Sequence, residues 1–574
     1  SDSVIVGGNA FFQSRFDQSG KLTAGVLRIG QNMTVRRDPE ASPRAFVAEG
    51  THQTVFNNPA LSTVDVENPT ATDSRFQNVE VLGGGNLEFV SGAHISGNLD
   101  VTGSASINAN LTLNVRGLLT TSAGSGMGID TLVLGDPGTI APGSGFINAR
   151  VWVLDAAGPQ TMPAIPAPAG ADSASLIVRS QTGFTSNMTL RGLRIEGDGL
   201  LEINEQAVNV FGDFATADNG RLFMQYPLSR LTITGATTFG GGSTLNALTA
   251  GILTTSGRFT QVGTNSPTSF RAIGDHITRI ATNYPGGNIV SFTTPPASGF
   301  QNLELSVPVT WASDIEVYND FTNTASAPMS AGRFAVRGSL TQSGNSTFTP
   351  RKLVFHGPAM NVSNGSLAPD TVEFRQNPLS FVLPVGEPRY FWNHMLMREN
   401  ANVRLGAASP ALTSLDMSEG SVLELNNIGL AIGGTFTATP GTVVDGGGGG
   451  GVVVAQRFQV NGLTVENGRL ELIEGGIPET QQLDNVTFQG LTSLGPNALL
   501  TVTGAGNNGT PRSLTFNAVN FPVISDGLYA RLTSSNAANF NLVLAGSNRV
   551  AEGPAASNPA NGARVAGALI DWQP

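Results

Sequence analysis

Apolar and polar residues alternate along nearly the whole chain, in short runs of about three to six residues. Leu111, Leu113 and Val115 form one run; Val422-Leu423-Glu424-Leu425 and Leu470-Glu471-Leu472 form shorter ones. Each run stops at Gly, Asn, Asp or Pro. Period-two alternation puts apolar side chains on one face of a strand, and those residues are the ones that turn a chain. The pattern therefore predicts many short strands joined by tight turns. Between residues 89 and 118, the apolar positions Ile95, Leu99, Val101, Ile107, Leu111, Leu113 and Val115 come in bursts separated by Gly or Asn corners. Only Arg389 to Arg398 carries a helix-like spacing, and the repeat described next runs through it.

The alternation is organised by an internal repeat. Phe46-x-x-x-Gly50-x-His52, followed by Phe76-Gln77-Asn78, returns as Phe270-x-x-x-Gly274-x-His276, followed by Phe300-Gln301-Asn302. All anchors shift by one interval: 270 − 46, 274 − 50, 276 − 52 and 300 − 76 each equal 224. A second block, Ala250-Gly251 to Gln261-x-Gly263, returns as Ala331-Gly332 to Gln342-x-Gly344, at 331 − 250 = 81. The Phe-x-Asn anchor reappears as Phe391-Trp392-Asn393 and, more weakly, as Leu483-Asp484-Asn485. A further weak unit covers Val151 to Val178. Preserved register over such distances marks a modular array.

The expected fold is all-β: a parallel β-solenoid built from degenerate repeats of roughly 90–120 residues, each holding several short rungs. The alternative is a string of β-sandwich domains. On the solenoid reading, residues 1–20 form an irregular N-terminal segment. Residues 21–500 form the array, with units anchored near 76, 176, 300, 391 and 483. Residues 501–574 form a β capping unit. Asp445 and the glycines to Gly451 form a loop between units.

Composition narrows the function classes. The 574 residues include 71 glycines and are only 13% charged. Average domains have about 7% Gly and about 25% charged residues. Few charges suit a chain spent on strands and turns around a continuous core. The net charge is −11, which argues against nucleic acid and against an anionic membrane surface. Lysine occurs only at Lys21 and Lys352. Cysteine is absent, so disulfides and thiolate metal sites are excluded. No apolar stretch reaches about 18 residues, so no membrane insertion is expected. No signal peptide is visible at Ser1-Asp2-Ser3, and a secreted form would be a processed or truncated chain.

No motif amounts to a chemical activity. His52, His94, His276, His356 and His394 form no zinc-binding pair. His52 and His276 hold equivalent repeat positions, as turn residues do, and catalytic residues are seldom duplicated at a fixed register. Gly50, Phe76, Asn78, Gly274, Phe300, Asn302, Phe391 and Asn393 are read as structural anchors in the same way. An acidic run, Glu196, Asp198, Glu202, Glu205 and Asp213, resembles the carboxylates of β-helix enzymes that cleave acidic polysaccharides. Its members fall on several predicted rungs with no matching Lys or Arg group, so a solvated face is expected; Glu471, Glu474 and Glu479 are read alike. Asp445 before its glycines suggests a calcium nonapeptide, but the motif does not recur. No cofactor is implied. Tyr390 and Trp392 are the densest aromatic group and the candidate platform for a glycan.

The Gly-, Asn-, Thr- and Ser-rich rungs, most plainly Ala331–Gly344 and Phe270–Leu305, resemble secreted bacterial β-solenoid surface proteins such as adhesin and autotransporter passenger regions. The likeness covers most of residues 20–500 and is one of style; phage tail fibres share it. It implies an extracellular or cell-surface location and transfers no functional residue. The expected function is a non-catalytic structural protein, a rigid β-rich rod forming or displayed on a surface fibre or layer, with self-association into a homopolymer. The alternatives are an adhesin or phage-type fibre binding surface glycans, and a polysaccharide lyase or hydrolase using Asp198 or Glu202.

Overall fold

The computed structural model describes residues 2–37, 42–136, 139–141, 145–162, 174–376, 381–383, 389–406, 410–447 and 451–472. Between 480 and 572 it describes only the backbone of the strands. Among the described residues there is no helix, and the strands pair in parallel almost throughout. The chain forms a parallel β-solenoid, in two compact units, Ser1–Gln301 and Asn302–Pro574.

In the first unit each strand pairs with its equivalent one turn later. Strand Gln53–Phe56 lies on Asn78–Val81, which lies on Leu99–Val101, which lies on Leu118–Thr121. A second sheet starts with Ala10–Ser14 on Met33–Arg37 and includes Ser106–Val115, Gly126–Leu134 and Phe146–Leu154. From residue 160 two more sheets appear, one holding Gln160–Met162 on Gln181–Phe184 on Leu200–Glu202 and one holding Ala207–Val210 on Arg230–Ile233. Leu99 pairs with Leu119, so one turn there takes twenty residues. The long repeat read from the sequence is therefore several turns.

The segment 1–20, expected to be irregular, holds two strands. Strands Ser3–Val6 and Ala10–Ser14 both join the parallel ladders. The exposed Val4, Ile5 and Phe11 hide the apolar-in, polar-out signal there. Leu111 also departs from expectation. It is 50% exposed, while Leu113 and Val115 are buried. Strand Ser106–Val115 crosses a corner, and its register slips between Ala109 and Thr112, turning Leu111 outward.

In the second unit, Ile315–Val317, Met329–Val336, Thr347–Phe355, Thr371–Phe374, His394–Met397 and Leu412–Met417 stack in order. The helix-like segment Arg389 to Arg398 contributes the strand His394–Met397. A second sheet holds Asn402–Arg404, Val422–Glu424, Val443–Asp445 and Thr464–Glu466. Beyond residue 500 the ladder continues in parallel: Arg512–Asn517 pairs with Phe540–Ala545, and that with Leu569–Trp572. The expected cap thus contains the same ladder, with one antiparallel pair, Val523–Ser525 with Leu528–Tyr529.

The cores are aromatic columns. Phe214, Phe239, Phe259, Phe270, Phe292 and Phe300 form one in the first unit, with successive ring centroids 4.9–6.1 Å apart. Phe321, Phe334 and Phe348 form another in the second. Stacked rungs place equivalent side chains one strand spacing apart, about 4.8 Å, close to the separation that tilted and edge-on rings favour.

Candidate functional site

The Gly and His anchors serve the turn beside them. Gly50 and Gly274 have φ of 61° and 62°, a left-handed conformation that glycine adopts freely. A Cβ on Gly50 would strike the Thr23 carbonyl oxygen, and one on Gly274 would lie 2.6 Å from that of Thr249. The following amides, Thr51 and Asp275, donate to the same two oxygens at 2.9 Å. Two residues on, His52 Nδ1 meets the Ala24 carbonyl at 3.2 Å and His276 Nδ1 meets the Ala250 carbonyl at 2.9 Å. Gly274→Ala is therefore expected to cost about 1–3 kcal/mol, read as a lower denaturant midpoint; an unchanged midpoint would contradict this account of the turn.

Asn78 and Asn302 begin their strands and tie successive turns together. Asn78 Nδ2 donates to the His52 carbonyl at 3.1 Å, and its Oδ1 accepts the Asn98 amide at 3.0 Å. Asn302 Oδ1 accepts from Asn319 Nδ2 at 2.8 Å and the Asp320 amide at 3.3 Å. Phe76 and Phe300 are buried.

The third copy is displaced by one residue. Counting back three positions from the first inward residue of each strand gives Phe76 before Val79, Phe300 before Leu303, and Trp392 before Met395. Trp392 therefore takes the core place and is 3% exposed, while Phe391 is 52% exposed. His394 holds the position of Asn78, its Nδ1 2.7 Å from Ser414 Oγ. A glycan needs an exposed ring face, so Trp392 cannot serve as a platform. Tyr390 packs edge-on to it at 6.0 Å, and its hydroxyl accepts the Val362 amide at 2.9 Å. The fourth copy falls on Asn485, outside the described residues.

The acidic run is divided between sheets. Glu196 follows strand Gly192–Ile195 and pairs with Arg179 at 2.7 Å and with Arg194. Burial pushes its carboxyl up, but the two guanidiniums hold it below its ordinary range. Asp198 accepts from Asn219 Nδ2 at 2.9 Å, and Asp213 accepts the Ala236 amide at 2.8 Å. Glu202 lies in strand Leu200–Glu202 of another sheet, 3.3 Å from Gln181 Nε2, and Glu205 occupies a turn with φ of 58°. No group of three or more His, Asp or Glu among the described residues is arranged to hold a metal ion. Asp445 Oδ1 accepts from the Gly447 amide and Asn467 Nδ2, so it holds a turn. Glu474 and Glu479, like the side chain of Glu471, fall outside the described residues.

The densest charge lies on one outer face of the second unit, and no local sequence motif announces it. Glu316, Ala335, Val354 and Glu373 occupy one outward row on successive turns. All four are at most 2% exposed, roofed by longer neighbours. Arg333 and Arg337 reach Glu316. Lys352 and Arg375 both pair with Glu373, Arg375 also reaches Glu399 at 2.6 Å, and Arg398 reaches Asp416 at 2.6 Å. Burial pushes the Glu373 carboxyl up, yet Lys352 and Arg375 hold it below its ordinary range. His356 follows the same strand as Lys352. Burial, then the fields of Arg337 and Arg375, push its imidazole down to about 4. Glu316 and Glu373 are three strand spacings apart, about 14 Å, well beyond the roughly 6.5–9.5 Å of a carboxylate pair that hydrolyses a glycoside. Both carboxylates are paired with cations, although Glu316 Oε2 has only Arg337 at 4.0 Å and no hydrogen bond, so the row is a set of ion pairs that tie rungs together.

No protein-family model, curated protein or solved structure matches this chain.

Proposed function

We propose that the protein is a non-catalytic structural scaffold: a rigid β-rich rod that forms, or is displayed on, an extracellular fibre or layer and associates with further copies of itself. The observation that carries the reading is how its polar side chains are used. His52, Asn78, Asp213 and Asp445 all bond to turns beside their own, and Glu316 and Glu373 are paired with cations of neighbouring rungs. These groups are spent on the stack. A scaffold needs that economy, because each rung is stabilised only by its neighbours. The resemblance in style to secreted bacterial surface solenoids supports the location.

The non-catalytic half is tested with a panel of acidic and neutral polysaccharides, following new reducing ends and unsaturated products. The expected result is no product. Product that disappears in Asp198→Asn or Glu202→Gln, with the fold intact, would overturn the reading.

A further inference from the structure

The outer face of the first unit carries three neighbouring polar atoms with nothing to bond to. His94 and Asn114 are direct partners on successive rungs, and Arg116 lies two residues beyond Asn114. Phe76 bridges to Ile95, which places Arg75 one rung before His94. His94 is 3% exposed, and its Nε2 has no partner; neither has Asn114 Oδ1 nor Arg116 Nε. Buried polar atoms are nearly always satisfied, so three adjacent exceptions call for an explanation. Gly135 makes room for them. A Cβ there would lie 2.8 Å from Arg116 Cγ and 3.3 Å from its Nε, so the arginine lies across the glycine. Arg75 is matched by Glu49 at 2.5 Å, whereas no carboxylate among the described residues pairs with Arg116. The local balance is one uncompensated guanidinium beside a buried imidazole.

We propose that His94, Asn114 and Arg116 form a binding site for an oxyanion group. Arg116 supplies the charge and an Nε–H donor. The neutral imidazole donates when its proton is on Nε2, and the Asn114 amide, turned about its last bond, offers an N–H. Hydrogen bonds from a guanidinium to an anion are among the stronger ones a protein makes. The imidazole is neutral without a ligand because burial, then Arg116 and Arg75, push it down to about 4. A bound anion offsets both cations and raises it.

The test uses the whole chain labelled at histidine alone, titrated with sodium sulfate against sodium chloride at matched ionic strength. The expected result is a saturable shift of the His94 ring signals with sulfate only. Arg116→Gln is expected to weaken sulfate binding at least tenfold. Gly135→Ala, which displaces the arginine, should weaken it also and covers the case in which Arg116→Gln does not fold. Arg150→Gln, whose side chain is 68% exposed and pairs with Asp130, should leave it unchanged. A matching shift with digalacturonate would make the natural ligand the carboxylate of an acidic glycan; a shift with sulfate alone would make it a free anion. No sulfate-specific shift, or equal affinity in Arg116→Gln and Gly135→Ala, would overturn the proposal and leave the cluster a site for buried water only.

Discussion

Replacing Phe259 by alanine is expected to destabilise the first unit by about 3–5 kcal/mol, the usual cost of removing a buried phenyl ring. Phe259 is 1% exposed and sits at the centre of its column, with ring centroids 5.7 Å from Phe239, 4.9 Å from Phe270, 5.9 Å from Phe292 and 5.4 Å from Phe300. Closing the cavity would require four other rings to move, each held by its own rung. The loss should also be local, because solenoid stability is a sum of neighbour interactions. Hydrogen exchange should quicken in strands Thr237–Phe239, Arg258–Gln261 and Asn288–Phe292 before Gln53–Phe56 or Asn78–Val81 responds. Phe259→Leu, which keeps most of the volume, should cost less than half as much. A loss below about 1 kcal/mol for Phe259→Ala would mean that the column does not hold the stack.

Acid is expected to weaken the fold from about pH 6.5 downward, before the carboxylates titrate. His94, His276 and His356 are each pushed down to about 4 in the folded chain. Burial is the leading cause for all three, and it is complete for His276. An unfolded histidine takes its proton near 6.5. Between 6.5 and 4 the unfolded chain therefore binds more protons, and stability falls as pH falls. The slope is at most about 1.4 kcal/mol per pH unit for each histidine. Below about 4.5 the carboxylates add to the loss. Asp65, Glu196 and Glu373 are held below their ordinary values in the folded chain, so their contribution, present above the unfolded value, disappears as they are protonated. Melting temperature against pH should fall continuously from 6.5 to 4, and His276→Gln should flatten the upper part of that fall. A melting temperature constant from pH 7 to 5 would contradict the account.

The architecture was legible in the sequence because solenoid rungs repeat their constraints. Alternation fixes which side chains face the core, and Gly50 and Gly274 must be glycine for the same reason in each copy. The register of the third copy was not legible. Phe391 and Trp392 are both large and aromatic, and only the parity of strand His394–Met397 decides which goes inside. The outer faces were less legible still. Glu316 and Glu373 are fifty-seven residues apart in sequence (373 − 316), and His94 and Arg116 twenty-two (116 − 94). What joins them is the length of each turn, which varies: Gln53 pairs with Asn78 twenty-five residues on, Leu99 with Leu119 twenty on. Without that length, a charged row reads as scattered surface charge.

Negative-stain electron microscopy of the purified chain, across concentration and salt, tests the scaffold reading most directly. Filaments or layers of one fixed width, growing with concentration, are the predicted result. Single dispersed particles under every condition would contradict it.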